Sequence, residues 1–155
     1  MPDYTPFEDM LWALKDIVIA NVGARLALIK ADKADGIALP DFKNYGMGYR
    51  DPFGQTLYPY VMFMHDDADI EDSAIGAEYD RFVAQVIYVL KHKDRDTLVK
   101  MDFRYGEAIR GVINENDTLG GAVLRAQATK INWYPAMDDM SAGAVRVEML
   151  KEILV

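Results

Sequence analysis

The stretch Arg81–Lys91, RFVAQVIYVLK, constrains the fold more than any other part of the chain. Phe82, Ala84, Val86, Tyr88 and Leu90 fall on one side of an extended backbone. Val83, Ile87 and Val89 fall on the other, interrupted by Gln85. A strand that is apolar on both faces must be covered on both, by its own chain or by another.

The neighbouring text supplies one cover. Asp96–Leu119 reads as an amphipathic helix and a turn, with Leu98, Met101, Tyr105, Ala108, Ile109 and Val112 recurring at steps of three and four. Lys100, Arg104, Glu107 and Arg110 fall on the other side, the side expected to meet solvent. A second helix is expected from Asp3 to about Lys30, capped by Thr5 or Asp3, with Pro6, Glu8 and Asp9 in its first turn. Gly23 leaves two outcomes open for RLALIK, helix or short strand.

Three further runs read as strands. Leu57–His65 precedes an acidic connection, Val123–Trp133 alternates after a Gly120-Gly121 turn, and Ala144–Val155 closes the chain. Between the first helix and the first strand, residues 31–56 are punctuated by Gly36, Pro40, Gly46, Gly48, Pro52 and Gly54. Phe42, Tyr45, Met47, Tyr49 and Phe53 make this stretch too aromatic for a solvated linker. It is expected to be an ordered irregular arm that packs on its own domain or on a neighbouring copy. The predicted fold class is α+β in a single domain, 1–155: an N-terminal helix, an arm, then ββαββ. The four-stranded sheet is mostly antiparallel, with the helices on one face.

Composition narrows the function. A net charge of -8 argues against generic binding to nucleic-acid phosphates and to anionic membrane surfaces. Cysteine is absent, which removes disulfides, thiolate nucleophiles and Cys-ligated zinc. No apolar run reaches the ~20 residues of a membrane helix. The first ten residues lack the basic region and apolar run of a secretory signal.

Catalytic text is sparse. His65 and His92 are the only imidazoles, both near strand ends, and Ser73 and Ser141 lie in loop-like text without a nucleophile-elbow pattern. Asp67, Asp69 and Glu71 could offer oxygens to a hard cation, but the glycine and terminal glutamate of a calcium loop are missing. They read first as a solvated charge run; a small acidic-loop module binding metal or ligand is the alternative. Gly46-Met47-Gly48 lacks the flanking strand, helix and third glycine of a phosphate loop. Around Arg104, Tyr105 and Arg110 the acids Asp102 and Glu107 interleave, as on an ion-paired helix face. No enzyme activity and no cofactor are expected.

With the helices on one face, Val83, Ile87 and Val89 are expected to form an open apolar row on the other, joined by Val61 and Phe63. The closing strand, rich in Val, Met, Ile and Leu, is expected at the sheet edge, where it would need a partner. Both features point to a homo-oligomer, and a closed ring would leave no free patch. Val83, Ile87, Val89, Phe42, Tyr45 and Tyr49 are therefore the candidate interface residues.

LYPYVMFM, RFVAQVIYVLK, FRYGEAIRGVIN with DTLGG, and AVRVEMLKEIL, in that order after a helix and an arm, resemble the tail-terminator and tail-completion (neck) proteins of long-tailed bacteriophages. The resemblance covers about four-fifths of the chain as a pattern of elements. It implies a small α+β subunit of a hexameric ring in the virion, capping the tail tube and meeting the head–tail connector. It implies no catalytic residue. Another neck or head-completion protein fits the same pattern.

Overall fold

The computed structural model describes residues 5–52, 54–55, 57–72 and 77–154, without the side chains of 71, 72, 77, 135, 136, 153 and 154. Among these residues the fold is α+β. Helix α1 (Pro6–Lys33) is followed by strands β1 (Asn44–Met47), β2 (Tyr60–Asp72) and β3 (Ala77–Lys91). Helix α2 (Arg95–Glu115) comes next, then a short turn of helix at Leu119–Gly121, then β4 (Arg125–Met137) and β5 (Met140–Leu154). The sheet has five strands in the order β1-β2-β3-β5-β4. It is antiparallel except for β1, which runs parallel to β2.

The fifth strand is the arm's contribution. Lys43 donates its N–H to Pro59 and Gly48 donates to Phe63, so the arm is stitched along β2 on both sides of β1. Four residues with a central glycine carry too little pattern to read as a strand alone.

Gly23 does not interrupt α1. Glycine inside a helix costs about 0.5–1 kcal/mol relative to alanine. The buried Val22 and Leu26 beside it each contribute ~1.5–3 kcal/mol by leaving water. Met10, Leu14, Val18, Val22 and Leu26 form a stripe at steps of four, and the helix closes on Ala34 in the left-handed region. The α2 stripe is as expected: Leu98, Met101, Tyr105, Ala108, Ile109 and Val112 are all buried. Asp94 caps that helix, accepting from the Asp96 N–H at 3.2 Å and the Thr97 hydroxyl at 2.8 Å.

Both helices lie on one face of the sheet, α1 over β2 and β3, α2 over β3, β5 and β4. The core between the layers takes Val61 and Phe63 from β2 together with Phe82, Ala84, Val86, Tyr88 and Leu90 from β3. Val61 and Phe63 thus face the helices and not the opposite side. The register sets this, pairing Val61 with Tyr88 and Phe63 with Val86.

Two strands differ in extent from their sequence reading. Asp66–Asp72 is not a connection but the second half of β2: Asp66 sits at a register shift, and Asp67–Asp72 pair residue by residue with Val83–Glu78. The last strand is not the sheet's edge: β5 lies between β3 and β4 from Met140 to Leu150, and only Lys151–Leu154 run on beside β3 without β4. The edge is β4, where Pro135 is tolerated because it sits at a register irregularity between Tyr134 and Met137.

The phenol of Tyr88 fixes how closely α2 meets the sheet. Its hydroxyl donates to the Asp102 carbonyl at 2.7 Å. Its ring lies against Gly143, its register partner on β5, where an added Cβ would fall on the ring. Gly106 on α2 faces the same hydroxyl at 3.1 Å from where a Cβ would stand. A tyrosine crosses the interior only because two glycines make room for it.

Candidate assembly surfaces

The face of the sheet away from the helices has two halves. One is apolar: Tyr60, Met62, Val89 and Ala142 are buried, with Tyr58, Met64, Ile87 and Met140 packed beside them. The arm closes over this half. Tyr58 donates to the Pro52 carbonyl at 3.1 Å, and the Lys91 ammonium stands 5.9 Å from its ring centre. The other half is polar. Arg81 pairs with Asp69 at 3.0 Å and with Glu148, which Arg146 also holds at 2.5 Å. The Arg146 pair first, and the Arg81 pair with it, hold the Glu148 carboxyl below its ordinary value.

The expected open row is therefore closed within the subunit. Val83 is 2% exposed, opposite Glu148 in the register, and Val89 is fully buried in the apolar half. Ile87 is half-buried opposite Met62. The cover comes from Tyr58 and Tyr60, just before and at the start of β2, together with Met62, Met64 and Met140.

Of the aromatic candidates in the arm, Phe42 packs inward, its ring edge-on to Tyr105 at 5.5 Å between centres. Tyr45 and Tyr49 are exposed, 47% and 66%. The Lys15 ammonium lies 5.6 Å from the Tyr45 ring centre.

Two flanks carry exposed large apolar side chains that periodicity alone did not single out. On the first, the start of α1 meets the edge of β2. Phe7 packs on Phe82 with 5.5 Å between ring centres. A groove of about 510 Å³ runs between Leu11 and Trp12 on one side and His65–Ala68 on the other, with Glu8, Asp66 and Asp67 among its lining residues. On the second flank, α2 meets β4. Phe103 and Trp133 pack with tilted rings 5.0 Å between centres, 53% and 43% exposed, beside Val99 one turn back. Next to them Arg110, Lys130 and Ile131 line a smaller recess of about 350 Å³.

The acidic candidates do not converge. Asp66 accepts from Gln85 at 3.0 Å, Asp67 from the Ala68 N–H at 2.8 Å, and Asp69 from Arg81. Glu71 belongs to β2 by its backbone, and its side chain lies outside the described residues. Among the described residues no group of three or more His, Asp or Glu is placed to hold a metal ion. His65 is exposed on β2, and the His92 Nδ1 accepts from the Asp94 N–H at 2.9 Å. Ser141 is buried on β5, and Ser73 lies outside the described residues. Gly46 and Met47 are strand residues, with no helix following them.

The most perturbed acid inside the fold is Asp102 on α2, 9% exposed. Burial pushes its carboxyl up to about 6, and its Oδ1 has no hydrogen-bond partner among the described residues. It faces the core between α2 and β5, away from either flank, which marks it as a feature of packing. Among the described residues no helix is long and apolar enough to cross a membrane.

No protein-family model matches this chain, and no curated protein does. Among solved structures it is similar to a chain from the virion of a native gene transfer agent particle. That match has 13% identity and a TM-score of 0.44, covering 87% of this chain and 94% of the other. An identity this low and a superposition this loose assign the chain no role.

Proposed function

We propose that this chain is a structural subunit of a phage-like virion. It forms a homo-oligomeric, hexameric ring that caps the tail tube and meets the head–tail connector. The observation that carries the reading is the pair of exposed apolar flanks, Trp12 beside its groove and the Phe103–Trp133 pair at the β4 edge. Large aromatic side chains gathered in patches mark association surfaces, whereas single ones are ordinary. The order of elements supports the tail-terminator resemblance: helix, arm, two strands, helix, two strands. The net charge of -8 suits a ring through which DNA slides without adhering.

The test is electron microscopy of the purified protein, alone and mixed with tail tubes. Rings seated on tube ends are expected. The absence of both rings and tube-end decoration would sink the reading. Rings that bind connectors but ignore tubes would move the role to neck completion.

A further inference from the structure

We infer that copies of this chain join head to tail, with the β4 edge and α2 flank of one copy seated on the distal β2 edge and α1 groove of the next. The inference rests on the assembly reading above and specifies the two surfaces that meet.

Both ends of the sheet are open along a defined stretch. At one end β4 is the terminal strand over Arg125–Met137. At the other, β1 covers only Tyr60–Phe63, so among the described residues no strand pairs the outer side of β2 from Met64 to Asp72. Unpaired edges of this length bind another strand unless something prevents it.

The two edges carry opposite charge. The β2 stretch reads MHDDADIED, five acids with no Lys or Arg. The β4 strand reads RAQATKINWYPAM, two bases with no Asp or Glu, in a chain of net charge -8. Asp69 already meets Arg81 across the hairpin, and the local excess on that edge stays negative. Pairing β4 with a second β4 would set Arg125 and Lys130 against their own copies, and pairing β2 with β2 would do the same with carboxylates. Charge therefore disfavours both symmetric dimers and favours the unlike pair.

Strand sense agrees. Because β2, β3, β5 and β4 alternate in direction, β4 runs opposite to β2. A second copy placed edge to edge in the same orientation presents its β2 antiparallel to β4, and the sheet continues. The apolar parts both lie on the helix side at opposite edges; Trp133 is level with Val61 through Gly143 and Tyr88, so a slide of the second copy along the strands brings it to the groove at His65–Ala68. With that offset the Phe103–Trp133 pair faces the groove between Phe7, Leu11, Trp12 and Phe82, with Arg110 and Lys130 near Glu8, Asp66 and Asp67. An unlike contact of this kind leaves a free surface at each end, which a ring closes.

Charge reversal tests it. One variant carries Asp66→Lys with Asp67→Lys, the other Arg125→Glu with Lys130→Glu. Each alone sets like charges at the contact and is expected to associate at least tenfold more weakly than the parent by light scattering, with an unchanged circular dichroism spectrum. Mixing the two restores oligomers, because the basic β4 of the first meets the acidic β2 of the second, and the acidic β4 of the second meets the basic β2 of the first. If reversal unfolds either chain, Asp66→Asn with Asp67→Asn and Arg125→Gln with Lys130→Gln replace it. Each neutral pair is then expected to flatten the salt dependence of association. Variants that assemble like the parent, or a mixture that stays dissociated, overturn this pairing while leaving assembly itself intact. A parent chain that stays monomeric overturns both.

Discussion

Arg104 closes a two-point fork on the Asp35 carboxylate, Nη1 to Oδ1 at 3.0 Å and Nη2 to Oδ2 at 2.5 Å, joining the middle of α2 to the first residues after α1. Its side chain is only 9% exposed, although helical spacing places it on the side expected to meet solvent. The fork, with Ile37, Leu39 and Phe42 packed behind it, holds the arm on its own subunit.

Replacing Asp35 with Asn should lower the melting temperature and speed tryptic cleavage at Lys33 and Lys43. Its hydrogen bonds from Arg104 hold the Asp35 carboxyl well below the ordinary value of 3.8. A depressed folded-state pKa stabilises the protein above the unfolded value, and that contribution is lost as pH falls below it. The difference in melting temperature between parent and variant should be constant at neutral pH and narrow below pH 3.8. A difference that stays constant under acid would show that the fork contributes nothing through charge.

Asp102 has the opposite sign. Burial raises its carboxyl from 3.8 to about 6, so the folded state binds this proton more tightly than the unfolded chain does. Its ionisation therefore costs stability, with the cost setting in above pH 3.8 and complete above about 6, at about 3 kcal/mol. Asp102→Asn should be more stable than the parent at pH 7.5 and lose that advantage on titration to about pH 4. Denaturant melts at the two pH values decide it; an advantage independent of pH would refute the assignment.

Gly143→Ala should destabilise by ~1–3 kcal/mol or more, because the new methyl falls on the Tyr88 ring and the phenol is held at its far end by the Asp102 carbonyl. Urea unfolding measures it. A change within about ±0.5 kcal/mol would mean that the ring can move aside.

Tyr105→Ala should cost ~3–5 kcal/mol by leaving a cavity between Phe42 and Tyr88. The hydroxyl also donates to the Pro40 carbonyl, so the arm should loosen with it. Tryptic cleavage at Lys43 that stays at the parental rate would separate the two effects.

Several features are legible in the sequence because they are local. The α2 stripe and the alternation of β3 are set by periods of 3.6 and 2, which depend only on neighbours in the chain. The chemistry of the exposed surface was legible only in part. The acids of β2 were evident, but the Asp67, Asp69 and Glu71 pattern gave no hint that they line a sheet edge.

The sequence by itself determined the α+β class, the order of the long elements and the faces of α2 and β3, since these follow from backbone period and residue size. Tertiary structure alone decided the rest. It put β5 at the centre and β4 at the edge, because strand order depends on pairings between residues far apart in the chain. It turned Val61 and Phe63 inward through their register with β3. It buried Arg104, because the carboxylate that compensates its charge lies 69 residues away. It also covered Val89 with the protein's own apolar residues, moving the open surface from the face of the sheet to its two edges.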